Sequence, residues 1–294
     1  MINEKDAGSS PIYIHNYELL NKLGKGAFST VFKGVHRINK KLVAIKVEKS
    51  ANTLKHESKI LSYLNRELPG SLNIPTLFWY GLYGDNVCIS TTFYEMTLLQ
   101  YMDKVSPTKL LGLCEKLILV IKQLHSAHIV HSDIKPDNFM VDNRENLIII
   151  DFGLSSLFYN VEKDIYRENK ICEHIIGSSK YVSYNLHVGN TMSRRDDLIS
   201  IGYLMLTIFK IELPWSSIFE DSELPLYHIK HPANVQRAKY KNFETLKSYL
   251  LSDRQSYLLS CNNNLISYLE KVYALKYEDT PDYVDYQKIF ATTQ

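Results

Sequence analysis

Apolar and polar positions in the first third of the chain alternate with a short period. YELLNKLGKG runs from Tyr17 into STVFKGVHR, then through the turn INKK into LVAIKVE, which ends at Glu48. β-Branched and aromatic residues fill these runs and Asn39-Lys40 suits a tight turn, so the pattern predicts hairpins. The period changes over residues 53–64, TLKHESKILSYL, where Leu54, Ser58 and Leu61 fall on one helical stripe beside Ile60 and Leu64. Strand character returns at Thr76–Tyr83 and Asn86–Phe93. Beyond about Glu95 the pattern is helical, with apolar-rich helices predicted over Leu110–Ser126, Leu198–Lys210 and Asn264–Leu275. A strand-rich third before a helix-rich remainder predicts an α+β chain with two lobes. Residues 1–11 are polar and are expected to fray.

Composition narrows the function classes. The 294 residues suit one large domain or two lobes, at roughly 100–200 residues per domain. With 45% apolar and 22% charged residues, disorder of the whole chain is excluded. Lys+Arg number 34 against 32 Asp+Glu, a formal net charge of +2 that is too balanced for a nucleic-acid coat or a membrane-surface protein. The 21 tyrosines are scattered without a basic–aromatic stripe, so packing explains them. Cys88, Cys114, Cys172 and Cys261 form no C-x-x-C and read as reduced thiols of an intracellular protein, cytoplasmic or nuclear. MINEKDAGSS lacks the apolar run of a secretory signal. Leu198–Phe209 is interrupted by Ser200, Gly202 and Thr207 and reads as a buried helix, being shorter than the roughly 18 residues of a membrane span. His125, His128 and His131 recur at every third position, but the first two flank a predicted helix end, so a metal face is not inferred.

Three segments carry candidate chemistry. In Leu23-Gly24-Lys25-Gly26-Ala27-Phe28-Ser29-Thr30-Val31 two glycines let backbone N–H groups approach an anion, although Gly-x-Gly in a hairpin is also an ordinary tight turn. Strands on both sides exclude a dinucleotide fingerprint, and no Gly-Lys-Ser/Thr ends it as in a Walker loop. In Val43-Ala44-Ile45-Lys46-Val47 a lysine sits among apolar neighbours, where burial demands a partner. A polyphosphate suits it, aimed by the carboxylate of Glu57 in the next predicted helix; the alternative is an edge-strand lysine facing solvent. Third, His131-Ser132-Asp133-Ile134-Lys135-Pro136-Asp137-Asn138 precedes the short apolar run Leu147–Ile150 and then Asp151-Phe152-Gly153. Asp151 and Asn138 offer hard oxygen ligands suited to Mg²⁺. Asp133 can take a proton from a hydroxyl, and Lys135 can neutralise a phosphoryl group. Chance turn chemistry explains either segment alone but not both together.

Together these segments resemble the protein-kinase signature of Gly-rich loop, strand lysine, helix glutamate, H-R-D-x-x-x-x-N loop and D-F-G. VAIKVE, HESKI, IPTLFWYG, HSDIKPDNFM, IDFGL, SRRDDLISIGY, LPW and YEDTPDYVDYQKIF are similar to the casein kinase I family, with the vaccinia-related kinases as close cousins. Gly177-Ser178-Ser179-Lys180-Tyr181 and Asn185-Leu186-His187 stand where most kinases have A-P-E, and they resemble the casein kinase I form of that segment. The resemblance implies a bilobal protein-kinase fold over residues 17–290, with a strand-rich N-lobe at about 17–94, a helical C-lobe at about 95–290 and a flexible N-terminus at 1–16. It implies an ATP- and Mg²⁺-dependent serine/threonine kinase acting on protein substrates as a monomer. Residue by residue, Leu23–Val31 would cover the ATP phosphates, Val31 and Ala44 would pack on adenine, and Lys46 aimed by Glu57 would hold the α/β-phosphates. Thr92–Glu95 would form the hinge. Asp133 would orient the acceptor hydroxyl, Lys135 would contact the γ-phosphate, and Asn138 and Asp151 would hold Mg²⁺. Asp197 would buttress the catalytic loop from a buried helix, and Ser178 would stand near Asp133.

The departures carry expectations of their own. Ser132 replaces the arginine that in many kinases pairs with a phosphorylated activation segment, so no switching by such phosphorylation is expected. Lys180 stands where the family often has an arginine that reads phosphate or acidic residues upstream of the target. With Arg194 and Arg195 it would give an anion site and a preference for acidic or pre-phosphorylated substrates. Arg195 could instead pair with Asp196 or Asp197. A pseudokinase scaffold that binds nucleotide without turnover is the alternative, set against the complete set Lys46, Glu57, Asp133, Asn138 and Asp151. The stretch Ser217–Leu259 departs most from the family pattern.

Overall fold

Side-chain alternation sets the first sheet. β1 (Tyr13–Ile14), β2 (Tyr17–Lys25), β3 (Ser29–His36), β4 (Leu42–Glu48), β5 (Leu77–Tyr83) and β6 (Asn86–Thr92) pair antiparallel in the order β1-β2-β3-β4-β6-β5. In β4, Val43, Ile45 and Val47 enter the core with Ile14, Leu19, Phe32 and Cys88. Ala44 and Lys46, the intervening residues, therefore share the opposite face. Pairing extends upstream of the expected start at Tyr17. Ile14 pairs with Tyr17 and is fully buried, one more apolar side chain against the sheet. Helix α1 (Ala51–Glu67) packs on β5 and β6 and buries Leu54, Ser58 and Leu61, the stripe legible in the sequence, together with Ile60 and Leu64 beside it.

The computed structural model describes residues 11–26, 29–49, 51–218, 229–252 and 259–291. The fraying expected at the start of the chain concerns residues that, up to position 10, lie outside these, as do Ala27 and Phe28 and parts of Ser217–Leu259. The chain divides into two compact units, Met1–Met96 with Met140–Gly153, and Thr97–Phe139 with Leu154–Gln294. Within the first unit the later piece is tied in by Asn73. Its Nδ2 donates to the Leu147 carbonyl at 2.6 Å, and its own carbonyl accepts from Ile149 N at 3.0 Å. These two bonds bring Asp151 into the unit that carries Lys46.

The second unit contains helices α2 (Leu98–Met102), α3 (Pro107–Ser126), α4 (Tyr184–His187), α5 (Arg194–Ile208), α6 (Pro232–Tyr240), α7 (Phe243–Ser252), α8 (Leu259–Tyr273) and α9 (Tyr283–Phe290). α5 is buried along most of its length and packs on α3 and α8. Its start is fixed by a capping box in which Ser193 and Asp196 satisfy each other's backbone N–H. The helices predicted over 110–126, 198–210 and 264–275 each begin a few residues earlier, because caps and polar first turns carry no apolar period. The pattern beyond Glu95 is not helical throughout. Ile129–Val130 pairs with Ser156–Leu157, and Tyr159–Asn160 pairs with Ile165–Tyr166. A two-residue strand is too short to display a period of two. Among the described residues no helix is long and apolar enough to cross a membrane.

Candidate active site

The first group of functional side chains lies in the first unit. Lys46 stands on β4 opposite Val31 of β3 and Ile89 of β6. Its Nζ donates to Glu57 Oε2 at 2.8 Å and to Asp151 Oδ1 at 2.8 Å. The alternative of an edge-strand lysine in solvent is therefore replaced by an ion-paired one on a central strand. Burial opposes the charge on Lys46, but Glu57 and then Asp151 outweigh it and hold its pKa above the ordinary lysine value. Burial pushes the Glu57 carboxyl up, with Lys46 and a hydrogen bond from the Phe152 backbone pulling the other way. Asp151 adopts φ 64°, a left-handed conformation its short polar side chain tolerates. Gly153 follows because a Cβ there would lie 3.0 Å from Thr53 Cγ2 and 3.3 Å from Asp151 Oδ1.

The hairpin that joins β2 to β3 belongs to the same unit. Gly24 pairs with Val31 and Lys25 with Thr30, and Gly26 N donates to the Ser29 carbonyl at 2.8 Å. Leu23 and Lys25 are exposed. A Cβ on Gly24 would meet no atom within 4 Å, so no protein packing at that position demands glycine. Ala44 pairs with Thr91 on β6 and shares the Lys46 face of the sheet.

The second group lies in the second unit and centres on Asp133, which is 7% exposed. Oδ1 accepts from Ser178 N at 2.9 Å and from Ser178 Oγ at 2.7 Å. Oδ2 meets Lys135 Nζ at 2.8 Å and accepts from Asn138 Nδ2 at 3.0 Å. Asn138 Nδ2 also donates to the Asp133 carbonyl at 2.8 Å, and Lys135 Nζ donates to Ser178 Oγ at 3.1 Å. Burial alone would raise the Asp133 pKa, but the Lys135 charge and the hydrogen bonds from Lys135 and Ser178 bring it below the ordinary aspartate value. Asp133 is thus a carboxylate at neutral pH, desolvated but held by cationic and hydroxyl donors.

The loop bearing Asp133 is anchored from behind. Asp197 on α5 accepts from His131 N at 2.7 Å and Ser132 N at 3.0 Å, which fixes Ser132 at φ 71°. His125 bridges Asp197 at 3.1 Å and Tyr283 OH at 2.6 Å, so it serves this network. Burial first, against the pull of Asp197, lowers the His125 pKa. The part played by Tyr283 had no signal in the sequence beyond its place in the family-like segment YEDTPDYVDYQKIF. Among the described residues no cluster of His, Cys, Asp and Glu has the form of a metal site.

The residues expected to read anions each have partners within the protein. Arg194 is buried, stacks over Phe158 and Tyr166, and donates to Tyr166 OH at 3.2 Å and the Glu278 carbonyl at 2.8 Å. Its guanidinium ties elements of the second unit. Lys180 is half-buried with its Nζ over the Tyr181 ring. Arg195 Nε lies 3.7 Å from Asp196 Oδ1, one of the two pairings expected for it. Trp215, read from the sequence as core, is fully buried and also donates from Nε1 to the Lys180 carbonyl at 2.8 Å.

Comparison with known proteins places these groups in a family. The protein kinase domain matches residues 17–273. The chain is also 30% identical, over 282 residues, to a probable casein kinase I homolog of Encephalitozoon cuniculi (strain GB-M1), an alignment covering 92% of this chain and 86% of the relative.

Proposed function

This chain belongs to the protein kinase family and is casein kinase I-like, and from that premise we propose an active serine/threonine kinase that transfers the ATP γ-phosphate to protein hydroxyls. The observation that carries the reading is the Asp133 cluster. A buried carboxylate kept ionised by Lys135, Ser178 and Asn138 is suited to orient a hydroxyl and accept its proton, a contribution of about 10²–10⁴-fold in rate. Lys135 is placed to neutralise charge on the transferring group. In this reading Lys46, aimed by Glu57, would take the α/β-phosphates, Leu23–Val31 would cover the phosphates, and Val31 and Ala44 would pack on adenine.

Asn138 in the second unit and Asp151 in the first each offer an oxygen of the kind Mg²⁺ takes. Asn138 uses its amide N–H groups on Asp133, which leaves the amide oxygen as its ligand atom, and the Asp151 carboxylate is 41% exposed. When bound, Mg²⁺ neutralises phosphate charge. Asp151 and Asn138 are its assigned ligands.

Lys180 is proposed to read an acidic or phosphorylated residue upstream of the acceptor as a point charge, without the fork of an arginine. The partners are protein substrates. The balanced charge argues against nucleic acid, and reduced Cys88, Cys114 and Cys172 suit the interior of a cell. Phosphate transfer from Mg-ATP to serine peptides carrying neutral, acidic or phosphoserine residues upstream tests both levels. Transfer to serine with a gain from upstream anions, reduced in Lys180→Ala, supports the reading. Transfer indifferent to upstream charge removes the anion preference, and transfer to tyrosine alone removes the serine/threonine assignment.

A further inference from the structure

Lys241 follows α6, in the stretch of the chain that departs most from the family pattern, and it is fully buried. Its Nζ lies 5.0 Å from the centre of the Trp215 ring and 5.4 Å from that of Tyr203. It donates to the backbone carbonyls of Ser179 at 2.8 Å, Lys180 at 3.2 Å and Val182 at 2.7 Å. Burial, with the Arg237 charge adding to it, pushes the Lys241 pKa well below the ordinary lysine value, and its N–H groups meet three carbonyls of one short segment. The segment is gripped from a second side, because Trp215 Nε1 donates to the same Lys180 carbonyl. Lys241 is itself held from behind, since Tyr273 OH donates to its carbonyl at 2.9 Å and bonds Tyr203 OH.

The residue just before the clamped carbonyls is Ser178, whose N–H and hydroxyl hold Asp133. Tyr181 N and Val182 N both return to the Ser178 carbonyl, at 2.8 and 3.0 Å, so the segment is one tight turn. At its other border Gly177 lies so close to the Asp133 loop that a Cβ would meet the Ser132 carbonyl at 2.3 Å. The turn is thus wedged between the loop bearing Asp133 and the Nζ of Lys241.

We propose that Lys241 is a positioning residue for phosphate transfer: by binding the carbonyls of Ser179, Lys180 and Val182 it fixes the turn through which Ser178 orients Asp133. The inference rests on the reading of Asp133 as the base. It predicts that Lys241 acts on turnover more than on nucleotide affinity, since Lys46, Glu57 and Asp151 belong to the first unit.

The test is a double-mutant cycle with an exchange measurement beside it. Lys241→Met keeps the length of the side chain and removes its donors. It should lower kcat by about 10–100-fold, the scale of a slight misplacement of a reacting group, and change the Kd for Mg-ATP by less. In a Ser178→Ala background the hydroxyl bond to Asp133 is gone and only the backbone N–H bond remains, so the same substitution should cost less than it does in wild type. Full additivity, or a loss of Mg-ATP affinity equal to the loss of kcat, overturns the proposal and leaves only a packing role. If Lys241→Met does not fold, Trp215→Phe removes one donor to the same turn and enters the same cycle, with the same outcomes read the same way. Amide hydrogen exchange of the folded variant at Ser178, Tyr181 and Val182 needs no activity, and faster exchange there than elsewhere in the second unit is expected. Wild-type protein that transfers no phosphate would contradict the kinase reading, while unchanged exchange at these amides would contradict the role of Lys241.

Discussion

A carboxylate that must accept a proton is usually weakened as a base by donors that stabilise its charge, and Asp133 has such donors on both oxygens. The cost is tolerable because in phosphoryl transfer the protein mainly positions groups and neutralises charge. Asp133→Asn should keep Mg-ATP affinity and lower kcat by about 10²–10⁴-fold. Asp151→Asn should instead weaken Mg-nucleotide binding, and calorimetric titration separates the two. The Asp133 pKa is lowered, so its carboxylate form persists below the ordinary aspartate pKa. The rate governed by this group should be flat from neutral pH down to about pH 5 and fall only at lower pH. The matching stability is present above the unfolded-state pKa and is lost as pH falls through the folded one. An acid limb in kcat at about pH 6 that disappears in Asp133→Asn would contradict the cluster described here. At this scale much was legible: Lys46, Glu57, Asp133, Asn138 and Asp151 are told by chemical type and order along the chain. Arg194 was not, because two aromatic rings and a distant carbonyl that only chain reversal supplies decide what it does. Lys241 was not either, because backbone carbonyls, its partners, leave no mark in a sequence.

At the scale of elements, two glycines report close approaches. Gly177 has φ 94° and a Cβ would lie 2.3 Å from the Ser132 carbonyl. Gly177→Ala must therefore move the turn holding Ser178 or the loop holding Asp133, and kcat should fall with little change in Mg-ATP affinity. Gly202 lets α5 approach α8, where a Cβ would come within 2.5 Å of Leu269 Cδ2. Gly202→Ala should destabilise the protein by about 1–3 kcal/mol through overpacking, read as a lower urea midpoint. The alternation of β4 and the stripe of α1 were readable because each buries one face over many residues. The paired strands at Ile129–Val130 and Ser156–Leu157 were not, because long-range pairing makes them and no local period does.

For the molecule as a whole, sequence order and structural unit do not coincide. Met140–Gly153 follows the loop of Asp133 in the chain yet belongs to the unit of Lys46, drawn there by the Asn73 bonds and the Lys46–Asp151 pair. No periodicity could announce that membership. Regulation also belongs to this scale. Ser132 carries no charge to pair with a phosphate, and the protein's own groups tie the segment after Gly153. Arg167 donates to Ser156 Oγ at 2.7 Å, Tyr277 OH to the Arg167 carbonyl at 2.8 Å, and Arg194 to Tyr166 OH at 3.2 Å. Protein dephosphorylated to completion should keep most of its turnover, and loss of most of it would show that a phosphate is needed after all. The most direct test is transfer of labelled γ-phosphate from Mg-ATP to casein by wild-type protein and by Asp133→Asn, side by side and both shown to bind nucleotide. Label on casein serine is expected with wild type, and a loss of at least about a hundredfold with the variant. Equal labelling by the two, or none by a wild type that binds Mg-ATP, would contradict Asp133 as the base of an active kinase.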